Sequence, residues 1–361
     1  MEFGMFHEFA RMPGQSDAET FAHGFEEVDA AERWGLDVMW LAELHVDPDR
    51  SVLAAPLTIA GAIAARTRRM KIGIAVQVLP LCHPLRLAEE VTTVDHISQG
   101  RLILGVGRSG FARTYEAYGI SYAESRERFA EVLEILRRAF THERFSFAGD
   151  YYTFDNVCLV PKPYQLPFPE IRIAATSPDT YAMIGALGYP IFCATRLGDL
   201  SELGPQIRAY REAWEAAGHP GEGGVFLRVP VYVAETAERA RAEPEASVMH
   251  FYRVLGARIE QSATSAGARA VENRSARGQK LQSIGYNEVL RNKIIVGTPA
   301  QVEERLTALC AELGLNGILA EMNCGGQIPR AQMLRSLQLL CEEVIPRFKG
   351  AGGASKVINA R

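Results

Sequence analysis

Three groups of polar side chains stand at the ends of apolar runs, where packing alone does not call for them. Trp40-Leu41-Ala42 is followed by Glu43, Leu44 and His45. A carboxylate beside an imidazole suits proton transfer near neutral pH, and the same pattern fits a loop capped by two solvated groups. Gly105-Val106-Gly107-Arg108-Ser109-Gly110 sets a guanidinium, apt for an anion, among glycines that let a flat ligand come close. A surface salt bridge would use the same arginine. Ala175-Thr176-Ser177-Pro178-Asp179-Thr180 reads as a helix start, with Ser177 as N-cap, Pro178 in the first turn and the Thr180 hydroxyl close by. Such a terminus offers unpaired N–H groups and a positive dipole to phosphate, although most bind nothing and Asp179 weighs mildly against an anion.

Other chemistries have less support. The glycines at 105–110 match the dinucleotide fingerprint G-x-G-x-x-G. That motif needs a helix opening within the glycines and an acid ending the next strand about 20 residues on. Here the next helix is expected only near Ser121, and Glu131 falls in its middle. His7 with Glu43 and His45 would give two imidazoles and a carboxylate to a metal. The absence of H-E-x-x-H and of H-x-H, and of an obvious further ligand, weighs against one. There is no G-x-S-x-G to set up a serine nucleophile.

The elements that must gather these groups alternate. Strands are expected at residues 3–7, 38–42, 71–78, 102–106, 171–175, 190–194, 225–233 and 317–322. Between them lie amphipathic stretches. Ser16-Asp17-Ala18-Glu19 is a capping box, and the helix it opens aligns Phe21, Phe25, Val28 and Ala31 before stopping at Gly35. Further helices are expected at 53–66, from Pro84 to Gly100, at 124–140, from Ser177, at 200–217 and at 330–344. Residues 145–169 read as a hairpin with an irregular crossing. Residues 262–278 are small, polar and poor in apolar side chains, so 244–292 reads as a long mobile excursion. The tail after Gly350 reads as disordered. Eight strand–helix units predict parallel pairing with right-handed crossovers and a closed (β/α)8 TIM barrel with insertions, as one domain over 1–349. Chemistry in such barrels sits at the carboxyl ends of the strands, where the three groups fall.

Composition agrees. With 361 residues, 47% of them hydrophobic, the chain can bury one large core, and such barrels run from about 250 to over 400 residues. A net charge of −4 gives no field to recruit nucleic acid or an anionic membrane. No apolar stretch approaches the roughly 20 residues of a spanning helix, and the N-terminus carries no signal-peptide pattern. The scattered cysteines at 82, 158, 193, 310, 324 and 341 read as reduced thiols of a cytoplasmic protein.

Together these stretches resemble the bacterial luciferase-like flavin monooxygenases, the alkanal-oxidising alpha subunits most closely. The carrying residues are Gly35-Leu36-Asp37-Val38-Met39-Trp40 leading to Glu43 and His45, then Leu79-Pro80-x-x-His83-Pro84, Asp95, Ser98-x-Gly100-Arg101 and Arg108. Pro161-Lys162-Pro163, Ala175-x-Ser177 and Val296-Gly297-Thr298-Pro299 complete the series. The resemblance implies reduced FMN across the barrel mouth, with Arg108, Ser177 and Thr180 at the phosphate and Glu43 near the flavin ring. Thr176 stands where the family has a phosphate-site glutamate. Ala75-Val76 falls where it often has a cis non-proline peptide behind the isoalloxazine, and 262–290 corresponds to its mobile active-site loop. The implied activity is a two-component monooxygenase, in which oxygen added at C4a of reduced FMN hydroxylates an apolar substrate or inserts beside a carbonyl. His45 is the candidate for proton transfer or substrate orientation, with His7 lining the same pocket. Phe6, Phe9, Phe111 and Tyr115 suggest an apolar substrate. With no nicotinamide domain, a separate NAD(P)H:flavin reductase must supply the cofactor. A homodimer through the helices around 55–66 and 84–98 is also implied. Leu44 stands where the luciferases carry their catalytic base and Gly107 where they carry a reactive cysteine, so flavin binding is implied without light-emitting aldehyde oxidation. The alternatives are deazaflavin (F420)-dependent hydride transfer and a non-catalytic flavin-binding or partner subunit.

Overall fold

The computed structural model describes residues 1–195, 198–262 and 271–350. Its strands are β1 (Glu2–His7), β2 (Val38–Leu41), β3 (Lys71–Val78), β4 (Leu102–Gly107), β5 (Phe145–Ala148), β6 (Thr153–Val157), β7 (Ile171–Ala174), β8 (Ile191–Ala194), β9 (Val225–Val233), β10 (Ile295–Gly297) and β11 (Gly317–Glu321). Its α-helices are α1 (Asp17–Trp34), α2 (Pro56–Arg66), α3 (Pro84–Ser98), α4 (Ala112–Ala117), α5 (Ser125–Thr141), α6 (Pro178–Leu187) and α7 (Leu203–Ala216), followed by α8 (Ala237–Ala242), α9 (Glu245–Ser262), α10 (Val271–Ser283), α11 (Tyr286–Asn292), α12 (Pro299–Leu313), α13 (Arg330–Leu339) and α14 (Ile345–Gly350).

The strands β1-β2-β3-β4-β7-β8-β9-β11 pair in that order, and β11 returns to β1, closing an eight-stranded barrel. Every one of these pairings is parallel. They are the eight strands expected from the alternation. β10 lengthens the sheet beside the far end of β9, from Ile295 against Val231. β5 and β6 form the antiparallel hairpin expected after α5.

The barrel interior explains several glycines. Trp40 lies inside, edge-on to Phe192 at 5.1 Å between ring centres. A Cβ on Gly73 would stand 2.0 Å from Trp40 Cε3, and one on Gly4 would stand 2.3 Å from Trp40 Cδ1. On β4, a Cβ on Gly105 would meet Phe192 at 2.6 Å. Below the indole, buried Arg172 is held by Glu2 (2.7 Å) and Glu170 (2.9 Å), its guanidinium 3.5 Å from the Phe226 ring centre. Aromatic rings and a paired cation thus fill the lower barrel.

Local signals work as the sequence suggests. Ser16 and Glu19 form the capping box of α1, and Gly35 ends that helix at φ 90°. Thr298 and Gln301 do the same for α12, with Pro299 at its start. Asp95 is fully buried and accepts the backbone N–H groups of Tyr164 and Gln165, which pins the irregular crossing. Lys162 Nζ donates to the carbonyls of His142 (2.6 Å) and Glu143 (3.0 Å) beyond the end of α5.

Two expectations change. A short helix, α4, precedes Ser121. The region 244–292, read as a loop, is largely α9, α10 and α11. Its apolar side chains were too sparse in 262–278 to show a helix, but Val248, Phe251, Tyr252, Leu255 and Ile259 of α9 pack with Leu281, Ile284 and Val289 in a cluster of their own. Residues 263–270, and the tail at 351–361, lie outside the described residues.

If the glycine–indole fit sets the barrel, Gly73→Ala lowers unfolding stability by about 1–3 kcal/mol, the usual cost of overpacking a core. Urea unfolding reads this directly, and an unchanged midpoint would refute the fit.

Candidate active site

Side chains alternate inward and outward along each barrel strand. The last inward positions at the C-terminal ends fall into two unlike halves. In one half they are Ala42 just after β2, Ala75 and Val76 at the register shift of β3, Gly107 on β4, Ala174 on β7 and Ala194 on β8, and of these Ala75, Val76, Ala174 and Ala194 remain partly exposed. This makes an open shelf. The other half is filled by Phe6, Glu8, Arg228 and Glu321. Arg228 donates to Glu321 Oε2 at 2.8 Å, approaches Glu8 at 3.4 Å and covers the Phe6 ring at 3.3 Å. Arg50, from the loop after β2, closes the group with Nε on Glu8 at 3.0 Å. Desolvation opposes the Arg50 charge, but the facing Glu8 outweighs it and holds the guanidinium pKa above its ordinary value. Two arginines and two glutamates thus balance one another in a largely buried setting.

Glu43 and His45 border the shelf from the β2 side. Glu43 Oε2 accepts the Val78 N–H at 2.8 Å and Oε1 lies 2.7 Å from His45 Nε2. The peptide bond Ala75–Val76 is cis, at the position the resemblance indicated. The loop carrying His45 is tied twice more: Leu44 N–H to the Leu53 carbonyl (3.0 Å), and Asp47 to Arg258 of α9 (2.8 Å).

Arg108 and Ser177 border the opposite side. β4 and β7 are neighbours with Val106 beside Ile173, so the two residues follow adjacent strand ends. Arg108 Nη1 donates to Ser125 Oγ at 2.7 Å, and its guanidinium stands 5.6 Å from the Tyr122 ring centre. Thr180 Oγ1 accepts the amide N–H groups of Thr176 (3.2 Å) and Ser177 (3.1 Å), which draws the start of α6 tight. The Thr176 residue itself is exposed.

The donor set fits the phosphate of a flavin nucleotide: one guanidinium, a serine hydroxyl and a helix N-terminus at adjoining strand ends. The shelf of small side chains beside it fits a flat ring. Among the described residues, no group of three or more His, Cys, Asp or Glu is placed to hold a metal, and no helix is long and apolar enough to cross a membrane.

His7 is not brought to this site. Inward positions on β1 are Gly4 and Phe6, so His7 points outward to α1. Its Nδ1 accepts the Phe9 N–H at 3.0 Å, and Nε2 faces Glu27 at 3.1 Å without hydrogen-bond alignment. Phe9 is likewise packed against α1, 5.5 Å from the Phe25 ring centre. Both were read as strand-end residues, and period-two alternation places them outside the barrel. Tyr115 is buried with its hydroxyl on the Arg108 carbonyl. Phe111 packs against the α9 cluster. Sequence reasoning missed Tyr118, whose hydroxyl lies 3.0 Å from His45 Nδ1. It also missed the Arg50 and Arg228 pairings, since no spacing links residues so far apart in sequence.

Glu131, the acid that a dinucleotide fold would have needed, accepts the backbone N–H groups of Asp150 and Tyr151 at 2.6 and 3.2 Å and so holds the β5–β6 hairpin.

Comparison with known proteins agrees with this architecture. The family model for luciferase-like monooxygenases matches residues 1–317. An FMNH2-dependent dimethylsulfone monooxygenase of Pseudomonas putida is 29% identical, over 73% of this chain and 72% of that one. An F420-dependent glucose-6-phosphate dehydrogenase of Kineococcus radiotolerans is 30% identical, over 63% of this chain and 69% of that one. The crystal structure of the monooxygenase RslO1 from Streptomyces bottropensis superposes with a TM-score of 0.76 at 26% identity, covering 96% of this chain and all of that one.

Cys82 lies at the end of β3, near Glu43. Burial, with help from that carboxylate, pushes its thiol up to about 12. A raised pKa leaves the thiol protonated at pH 8, and only the thiolate is a nucleophile. Iodoacetamide at pH 8 should therefore modify Cys82 in the folded protein roughly a hundredfold or more slowly than free cysteine, whose pKa is about 8.5. Peptide mass mapping over time checks this, and rapid labelling would contradict it.

Proposed function

Because the chain belongs to the luciferase-like monooxygenase family, we propose that it is the oxygenase component of a two-component system. It takes reduced FMN from a separate NAD(P)H:flavin reductase and, with molecular oxygen, oxygenates an apolar organic substrate, by hydroxylation or by Baeyer–Villiger-type insertion. The observation that carries this is the pairing, across one open shelf of alanine and glycine, of an anion-binding side with a carboxylate–imidazole side.

Bound reduced FMN supplies the electrons that activate oxygen. The chain supplies the rest. Arg108, Ser177 and the tip of α6, with Thr180 in its first turn, hold the phosphate. Ala75, Val76 and Gly107 back the ring, and Glu43 stands at its edge. His45 moves a proton or orients the substrate from the same edge. The excursion of α9, α10 and α11 covers the mouth and keeps water out. Its contacts support that role, because they reach the loops after β2 (Asp47 with Arg258), β4 (Phe111), β8 (Asp199 with Lys293) and β11 (Cys324 with Ser247). Two copies associate through α2 and α3.

The F420-dependent relative favours a second reading, hydride transfer from a reduced deazaflavin without oxygen. One comparison separates them. Oxygen uptake with reduced FMN, coupled to a product carrying one oxygen atom, supports the monooxygenase. Turnover with reduced deazaflavin alone supports the second reading. Immediate return of the reduced-FMN complex to oxidised FMN without product, whatever the substrate offered, supports a flavin-binding subunit.

Arg108→Met should weaken FMN binding roughly ten- to a hundredfold, the worth of one charge-assisted hydrogen bond. Flavin fluorescence titration measures it, and an unchanged affinity would remove the phosphate assignment. Light scattering checks the dimer, and a monomer at micromolar concentration would exclude it.

A further inference from the structure

Glu43 and His45 lie two residues apart on one loop, and their contact engages only one of the two ring nitrogens. An ionised carboxylate only accepts hydrogen bonds. The 2.7 Å approach of Glu43 Oε1 to His45 Nε2 therefore places the ring hydrogen on Nε2. In the neutral imidazole this leaves a lone pair on Nδ1. Facing it at 3.0 Å is the Tyr118 hydroxyl, with the two rings edge-on at 5.0 Å between centres.

Tyr118 comes from elsewhere in the chain, at the end of α4 in the loop after β4. Its N–H is held by the carbonyls of Thr114 (3.3 Å) and Tyr115 (3.1 Å). The same turn sends the Tyr115 hydroxyl to the Arg108 carbonyl. One short helix thus joins the anion side of the mouth to the imidazole side. Exposure is graded along the chain of contacts: Tyr118 is 47% exposed, while the side chains of His45 and Glu43 are 9% and 3% exposed. Burial, with Glu43 and Cys82 nearby, raises the phenol pKa, so the hydroxyl stays protonated and donates.

We propose that Tyr118 is a positioning residue for His45: its hydroxyl on Nδ1 holds the imidazole in the tautomer whose Nε2–H meets Glu43, and links that buried pair to solvent. Leu44, the preceding side chain, is apolar and packs against the core, so it offers no polar group to do this. The inference rests on the reading of His45 as the proton-transfer group.

The test removes one hydroxyl. In 15N-labelled protein, ring nitrogen NMR should show His45 held with hydrogen on Nε2 in the unaltered chain. In Tyr118→Phe that preference should weaken, because Nδ1 then has no donor facing it, and in Glu43→Gln it should also loosen. Product formation with reduced FMN and oxygen should fall about tenfold in Tyr118→Phe, as for loss of a group that orients a functional imidazole. FMN affinity should stay within twofold, which a merely structural role would not predict together with a changed tautomer. An unchanged tautomer and rate in Tyr118→Phe overturns the inference. If the unaltered protein forms no oxygenated product, the oxygenase reading fails, while the NMR comparison still decides for or against Tyr118.

Discussion

The mouth of this barrel is shaped by what fills the space beneath it. Trp40 occupies the interior because Gly4 and Gly73 present no side chain there, and Phe192 reaches inward because Gly105 gives way. The lower barrel is thus closed by aromatic side chains. The upper ring of inward positions then decides what lies above it. β4, β7 and β8 end in glycine or alanine and Ala42 follows β2, while the facing half is closed by Phe6 and the Arg50–Glu8–Arg228–Glu321 group. Steric exclusion below and charge balance on one side leave the small residues at the ends of β4, β7 and β8 as the open part of the mouth.

Much of this was legible beforehand. All eight barrel strands could be read from the apolar runs, because parallel strands buried on both faces show continuous hydrophobic stretches. Helix starts at Ser16 and Ser177 were equally plain, since caps act within four residues, while the capped start of α12 at Thr298 was not read as a helix. What escaped detection was set by distance. Nothing near Tyr118 in sequence points to His45, and Arg258 reaches Asp47 across most of the chain. The helices α9 and α10 were hidden for another reason: they pack mainly on one another, and the apolar residues of α10 are too few to draw a stripe.

The motif residues behind the family resemblance prove to serve two ends of the molecule. Asp37 accepts the Phe3 N–H, Asp95 pins the crossing segment, and Arg101 donates to the carbonyls of Ala64, Thr67, Met70 and Ser98. These ties gather the turns at the closed end of the barrel, far from the shelf. Glu43, His45, Leu79, Pro80, His83, Arg108 and Ser177, by contrast, follow the C-terminal ends of barrel strands. A string of shared residues can thus speak strongly for a fold while saying less about chemistry.

The apolar cluster formed by α9, α10 and α11 is distinct from the barrel core, and polar ties such as Arg258 with Asp47 join it to the strand-end loops. Such a separation makes the roof exchangeable. Its inner surface can be redrawn residue by residue, and the cylinder that grips the shared chemistry keeps its packing throughout. Selection can then move one catalyst between differently shaped molecules at little cost to folding.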